Sequence, residues 1–189
     1  MPSDAANPQS PFIVYLLGYP GVGKYTVARA LAAQTGAVVI DNQLINNPIL
    51  ALFNGALDLP AEAFVRTGPI RKAVFGALEE IAPRSLSYVF TNVLQDSPED
   101  VVIYNWLHDI AASRDSVFLP VMLTCAREVQ LERVRAEERR LRFKLTDADW
   151  LDKFMTAVSL YAPEGVLTLD TTEATPEENA AAIVESLSS

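Results

Sequence analysis

The stretch from Pro11 to Thr35 constrains this chain more than any other. Phe12 to Leu17 is a short apolar run bounded by Pro11 and Gly18, the pattern of a buried strand. Gly18 to Lys24 then reads Gly-x-x-x-x-Gly-Lys, and Val27, Ala28, Leu31 and Ala32 follow at helical spacing. Glycines at 18, 21 and 23 open backbone conformations closed to other residues and let the chain approach a ligand closely. Peptide N–H groups of such a loop point into one concavity at the positive end of the following helix. Lys24 adds a full charge suited to β- and γ-phosphates. Gly18, Gly21, Val22, Gly23, Lys24, Tyr25 and Thr26 are therefore the candidate triphosphate-binding residues.

One position breaks the pattern. The residue after the lysine is ordinarily Ser or Thr, whose hydroxyl ligates Mg²⁺; here it is Tyr25. A phenol on a rigid ring cannot put its oxygen there. Thr26 stands next and retains a hydroxyl for a phosphate or for the metal, and water can fill a vacant Mg²⁺ position. The Tyr25 ring, beside Val22 and Val27, is expected to pack under the loop.

The rest of the chain alternates strands and helices. Ala37–Ile40 reads as a second strand after the helix-ending Gly36, and the polar segment Asp41–Pro48 follows with no helix assigned to it. Ile49–Phe53 reads as a short helix, and Pro60 opens a longer helical stretch to about Ile81, bent at Gly68-Pro69. Ser87–Leu94, Val117–Thr124 and Val166–Leu169 complete five strands. Between them, a helix capped by Ser97 with Pro98 behind it runs to about Ser113, and a charged helix spans Ala126 to about Leu141. A helix capped by Thr146 runs to about Leu160, and one opened by Thr175-Pro176 ends at about Leu187. Such alternation implies an α/β fold, a parallel sheet covered on both faces, with ligands beyond the carboxyl ends of its strands. At those ends stand Gly18–Thr26, Asp41-Asn42, Thr91-Asn92, Thr124-Cys125 and Asp170-Thr171.

Asp41 is the first carboxylate after the loop. It is placed to accept a proton from a substrate hydroxyl or to hold Mg²⁺ through water, and a local turn role competes with both. Arg127, Arg133, Arg135, Arg139, Arg140, Arg142 and Lys144 crowd one segment together with Glu128, Glu132, Glu137 and Glu138. The segment reads either as a lid supplying cations to a transferring phosphate or as a solvated face of ion pairs. Arg66, Arg71 and Lys72 suit an anionic acceptor equally with an exposed helical face. His108, mid-helix, and Cys125, beside an apolar strand, read as packing residues.

Composition narrows the class. At 189 residues with 50% hydrophobic and 21% charged residues, the chain is expected to be one globular domain. A net charge of −9 argues against nucleic acid or anionic lipid as a partner. Short apolar runs, no basic-then-apolar leader and a single cysteine fit a cytoplasmic protein, a monomer or homodimer, with a small molecule and a nucleotide as its partners. Residues 1–10 read as a loose tail.

Gly18–Thr26, Asp41–Pro48, the basic stretch from Arg133 to Lys144 and Asp170-Thr171 resemble the phosphate-loop small-molecule kinases, among them shikimate kinase, gluconate kinase and chloramphenicol phosphotransferase. The segments Gly-Lys-Tyr-Thr, Asp-Asn-Gln-Leu-Ile-Asn-Asn-Pro and Lys-Leu-Thr-Asp are similar to a group of AAA-type, shikimate-kinase-like ATP-binding proteins. The resemblance implies a three-layer α/β/α P-loop nucleoside-triphosphate hydrolase fold of strand order 2-3-1-4-5, with an acceptor-side insertion over about 42–84 and a helical lid over about 139–146. It also implies ATP and Mg²⁺ as cofactors and phosphoryl transfer to a hydroxyl-bearing or anionic metabolite. Asp41 then matches the residue that contacts the acceptor hydroxyl, and Arg133 the arginine beside adenine. Arg139 or Arg140 matches the lid arginine over the phosphates, and Asp170, Thr171 and Thr172 the loop closing the adenine pocket. The glycine pair that binds shikimate is absent, with Thr91-Asn92 in its place. A nucleotide-binding or switch protein with little transfer activity is the competing reading, favoured by Tyr25 and by the lack of a carboxylate at Thr91-Asn92.

Overall fold

The computed structural model describes residues 10–53, 59–136, 139 and 144–188. Its centre is β1 (Phe12–Leu17), every residue of which is buried. Ile13, Tyr15 and Leu17 face one side of the sheet and Phe12, Val14 and Leu16 the other, as the two-residue strand repeat requires. Both faces are covered, which explains why the run is continuously apolar rather than alternating.

Four more strands lie parallel to β1: β2 (Val38–Asp41), β3 (Tyr88–Thr91), β4 (Val117–Thr124) and β5 (Leu167–Asp170), in the order β2-β3-β1-β4-β5. On one face, Val27, Ala28 and Leu31 of α1 (Lys24–Thr35) and Ala180 and Ile183 of α8 (Pro176–Leu187) pack against Val14 and Leu16. On the other, Phe75 and Leu78 of α4 (Gly68–Glu80) and Tyr104, Leu107 and Ile110 of α5 (Pro98–Ser113) pack against Tyr15 and Leu17. His108 is exposed and meets the Phe118 ring edge-on. No described helix is long and apolar enough to cross a membrane.

Local signals set several boundaries. Gly36 closes α1 in the left-handed conformation, Ser97 accepts from the Asp100 N–H, and Thr175 with Glu178 forms a capping box. Elsewhere the boundaries differ from expectation. Asp41–Pro48 is not a loop: α2 spans Asn42–Leu50, with Ile45 and Leu50 buried. Pro48 is tolerated near its end, and a 3₁₀ turn over Ala51–Phe53 follows. The next stretch breaks at Gly68 into α3 (Ala61–Val65) and α4.

β3 is shorter than expected because the Asn92 side-chain carbonyl takes the Val93 N–H just past the strand. The charged helix, α6 (Arg127–Val134), stops well before Leu141, its last turn tightening through Arg135 N–H to Glu132 O at 3.1 Å. α7 (Ala148–Ala157) is capped by Asp147, not Thr146, and ends before Leu160. The expected tail falls outside the described residues except for Ser10.

At the end of α4, the buried Arg114 guanidinium donates to the carbonyls of Leu78, Ala82 and Pro83 and lies over the Tyr88 ring. It thereby ties the last turn of α4 to the two residues just beyond its C-cap.

Candidate functional site

The loop after β1 is shaped by its neighbours. A Cβ on Gly18, whose φ is +141°, would stand 2.5 Å from the Leu123 carbonyl oxygen of β4. One on Gly21 would stand 2.8 Å from Val134 and 3.0 Å from Gln130, because α6 packs directly on the loop. Gln130 also donates to Pro20 O at 2.7 Å. Gly23, with φ +94°, is the N-cap of α1. The first turn of α1 thus lines a cavity of about 840 Å³ at the carboxyl edge of the sheet and turns the positive end of the helix dipole towards it.

Lys24 bends back into the loop, donating to Gly18 O at 2.5 Å and Tyr19 O at 2.8 Å. Burial of its ammonium, reinforced by Lys144 and Arg139 and opposed by Asp41, brings its pKa down to about 7. Burial alone disfavours the charged form of a lysine, and an anionic ligand beside the ammonium would favour it again.

Across the cavity, Asp41 ends β2 and is 8% exposed. Its Oδ1 accepts from the Thr91 hydroxyl at 2.8 Å and its Oδ2 from the Lys144 ammonium at 2.7 Å. The carboxylate does not cap the helix that it precedes, so the local turn role is not the one its side chain takes. The Lys144 ammonium also sits 4.6 Å from the centroid of the Tyr25 ring.

Tyr25 itself corrects an expectation. Rather than packing under the loop, it is half-buried on the cavity wall, on the face of α1 that it shares with Arg29. The core face of that helix is taken by Val27, Ala28 and Leu31.

Arg133 reaches from α6 to the end of β5, donating to Thr171 Oγ1 at 3.0 Å and Thr171 O at 2.8 Å; its NH1 also lies 3.4 Å from Cys125 Sγ. The Thr171 hydroxyl donates in turn to Val22 O at 2.8 Å, tying the loop to β5. Arg133, Thr171, Arg139 and the exposed Thr26 line the cavity. Other candidates stand apart from its lining. Val22 and Gly18 belong to the packed base of the loop. The exposed Asp170 is held by the Thr172 side chain and by the Thr172 N–H at 2.7 Å, which together lower its pKa, and Thr172 Oγ1 accepts from Ala126 N at 2.8 Å. Arg66 is exposed at the C-cap of α3, and Arg71 donates to Asn42 Oδ1 at 3.1 Å. Arg140 lies outside the described residues.

Lys144, Asn42 and Gln43 are among the lining residues that the sequence does not mark individually as ligand contacts. Lys144 is one charge in a basic run, and Asn42 and Gln43 follow the strand-end Asp41 in a polar segment. Gln43 Oε1 is buried with no hydrogen-bond partner among the described residues, an acceptor suited to a ligand donor.

The lining does not fit Mg²⁺ ligated directly by protein. Both Asp41 oxygens are engaged, and Asn92 is committed to the Tyr15 hydroxyl and the Val93 N–H. The described residues hold no group of three His, Cys, Asp or Glu side chains that could bind a metal. Of the expected metal positions, Asp41 is held by Thr91 and Lys144, and the exposed Thr26 offers a single hydroxyl.

No protein-family model matches the chain, and no curated protein does. Solved structures do. A gluconokinase from Sinorhizobium meliloti is similar with a TM-score of 0.61 at 17% identity, over 94% of each chain. The APS kinase of Mycobacterium tuberculosis, solved with AMPPNP and APS, is similar at 0.60 and 15%, over 96% of this chain and 100% of that one. Shikimate kinase from Acinetobacter baumannii, in complex with shikimate, gives 0.53 and 20%, over 98% and 97%. The five-stranded parallel sheet, its 2-3-1-4-5 order and these likenesses give the chain the three-layer fold of the phosphate-loop small-molecule kinases.

Proposed function

We propose that the chain binds ATP in this cavity and transfers the γ-phosphoryl group to a hydroxyl-bearing small molecule. One observation carries the reading: the Asp41 carboxylate faces the same space as Lys24 and the N-terminus of α1. Phosphoryl transfer needs a proton acceptor, a phosphate cradle and cations on the migrating charge, with little covalent chemistry by the protein.

In this reading the acceptor hydroxyl gives its proton to Asp41 and its oxygen attacks the γ-phosphorus as the bond to the β–γ bridging oxygen breaks. Lys24, the α1 N–H groups and Arg139 stabilise the charge on the transferring group and on departing ADP. Arg133, fixed by Thr171, presents its guanidinium plane to the base. Asn42, Gln43 and Asn92 line the acceptor side, whereas Arg66 and Arg71 do not. That lining favours a neutral, hydroxyl-bearing acceptor over an anionic one.

The second reading, a nucleotide-binding protein with little transfer, draws on the Asp41–Lys144 pair, which occupies the presumed base. Thermal-shift titration with ATP and GTP, followed by a library of hydroxylated metabolites at saturating nucleotide, separates the two. ATP at a hundredfold excess over Kd should stabilise by about 2.7 kcal/mol, or about 5–10 °C in a chain of this size. A metabolite that triggers stoichiometric ADP release supports the kinase. Stabilisation without such release from any metabolite supports the second reading.

A further inference from the structure

In a phosphate loop the hydroxyl after the lysine and a nearby carboxylate hold Mg²⁺ against the phosphates. Here both positions are present in altered form, and both touch one side chain. The ring of Tyr25 carries the Lys144 ammonium on its face at 4.6 Å, and the Asp41 carboxylate binds the same ammonium at 2.7 Å. The two charged side chains are 15% and 12% exposed, so water screens the pair weakly. Thr91 holds the other Asp41 oxygen at 2.8 Å. Arg139 supports Lys144 directly, the Lys144 N–H donating to Arg139 O at 3.0 Å and Arg139 Nε to Leu145 O at 2.9 Å.

We propose that Lys144, held between Asp41 and the Tyr25 ring, replaces the divalent cation, so that this site binds its triphosphate free of metal. The inference rests on the triphosphate reading of the cavity. An ammonium has three N–H donors; Asp41 takes one, and the others suit phosphate oxygens in the cavity that Lys144 lines. An aromatic ring is a seat for a cation and offers no ligand to Mg²⁺. The ion would also meet Lys24, Lys144 and Arg139, whose mutual repulsion already acts on Lys24. The substitution of Tyr for Ser or Thr and the lysine far along the chain are thus one adaptation.

Calorimetric titration of the full chain with ATP and with inorganic tripolyphosphate, in EDTA and in excess Mg²⁺, tests this. The wild type should bind as tightly in EDTA as in Mg²⁺, or tighter. Lys144→Met should lose tenfold or more in EDTA and regain much of it with Mg²⁺, because removal of the lysine frees Asp41 to hold the ion through water. A purely structural lysine would give a loss that magnesium does not rescue, and that result overturns the proposal. So does wild-type binding that requires Mg²⁺. Should Lys144→Met fail to fold, Tyr25→Ser decides: it should make binding about tenfold tighter with Mg²⁺ than without, and equal affinities overturn the inference. If neither probe binds the wild type under either condition, the triphosphate reading fails and takes this proposal with it.

Discussion

The wall of the cavity formed by the loop is held through backbone. Gly18, Gly21 and Gly23 take positive φ values, Gln130 fixes Pro20 by its carbonyl, and Thr171 fixes Val22 likewise. The opposite wall is held by side chains: Asp41 to Thr91 and Lys144, and Arg71 to Asn42. Sterics dominate the first, so it should be insensitive to charge. The second depends on a carboxylate and an ammonium 103 positions apart and should fail when either changes. Rigidity in one wall and electrostatics in the other suit a cradle facing a reacting group.

The largest effect expected belongs to the charged wall. Asp41→Asn should lower acceptor-dependent ADP release by about 10²–10⁴-fold, about 3–5 kcal/mol in the barrier, while ATP still binds. Turnover at the wild-type rate would erase the functional difference between the walls. On the steric wall, Gly18→Ala should cost about 2–4 kcal/mol in denaturant unfolding, since the positive φ and the overlap with Leu123 O act together. An unchanged midpoint would show that the loop yields more than its geometry suggests.

Lys24→Ala comes next, weakening ATP by about 10–100-fold in a folded protein. Lys24 also links the walls through pH. Its folded pKa, about 7, lies below the unfolded value of 10.5, so the folded chain sheds a proton that the unfolded chain keeps. Stability of the ligand-free protein should therefore rise as pH climbs from about 7 towards 10.5. Phosphate should restore the proton. Titration near pH 8 in buffers of differing ionisation heat should show uptake of up to about one proton per ATP, absent in Lys24→Ala. The smallest effect serves as a control: Thr175→Ala should cost about 1 kcal/mol through the α8 cap and leave ATP affinity unchanged.

The same contrast explains what the sequence reveals. Gly18 to Lys24, Gly36, Ser97-Pro98 and Thr175-Pro176 act on backbone within a few residues, so adjacent letters carry the signal and the structure follows it. The run of strands and helices fixed the sheet class for the same reason. The Asp41–Lys144 pair carries no local signature, because only the folded sheet brings its members together. Tyr25 is a related case, where proximity to Val22 and Val27 in sequence suggested burial and the helix phase put it beside Arg29. In Asp41–Pro48, polar residues and a proline hid a helix whose order comes from Ile45 and Leu50. Thr146 is the cap expected from the sequence, and the phase of α7, with Leu151 buried, puts Asp147 in that place instead.

The buried Arg114 has a mechanical consequence. It anchors the far end of the β2–β3 connection, while the Asn42 N–H bonded to Thr91 Oγ1 at 3.2 Å anchors the near end. Between them, Leu52, Phe64 and Val65 stand exposed. The connection is therefore tied to the sheet at both ends, while the short α3 turns Phe64 and Val65 to solvent between them. Amide exchange should be faster over Ala61–Val65 than at either tie, so that α3 can open without loosening the sheet beneath it.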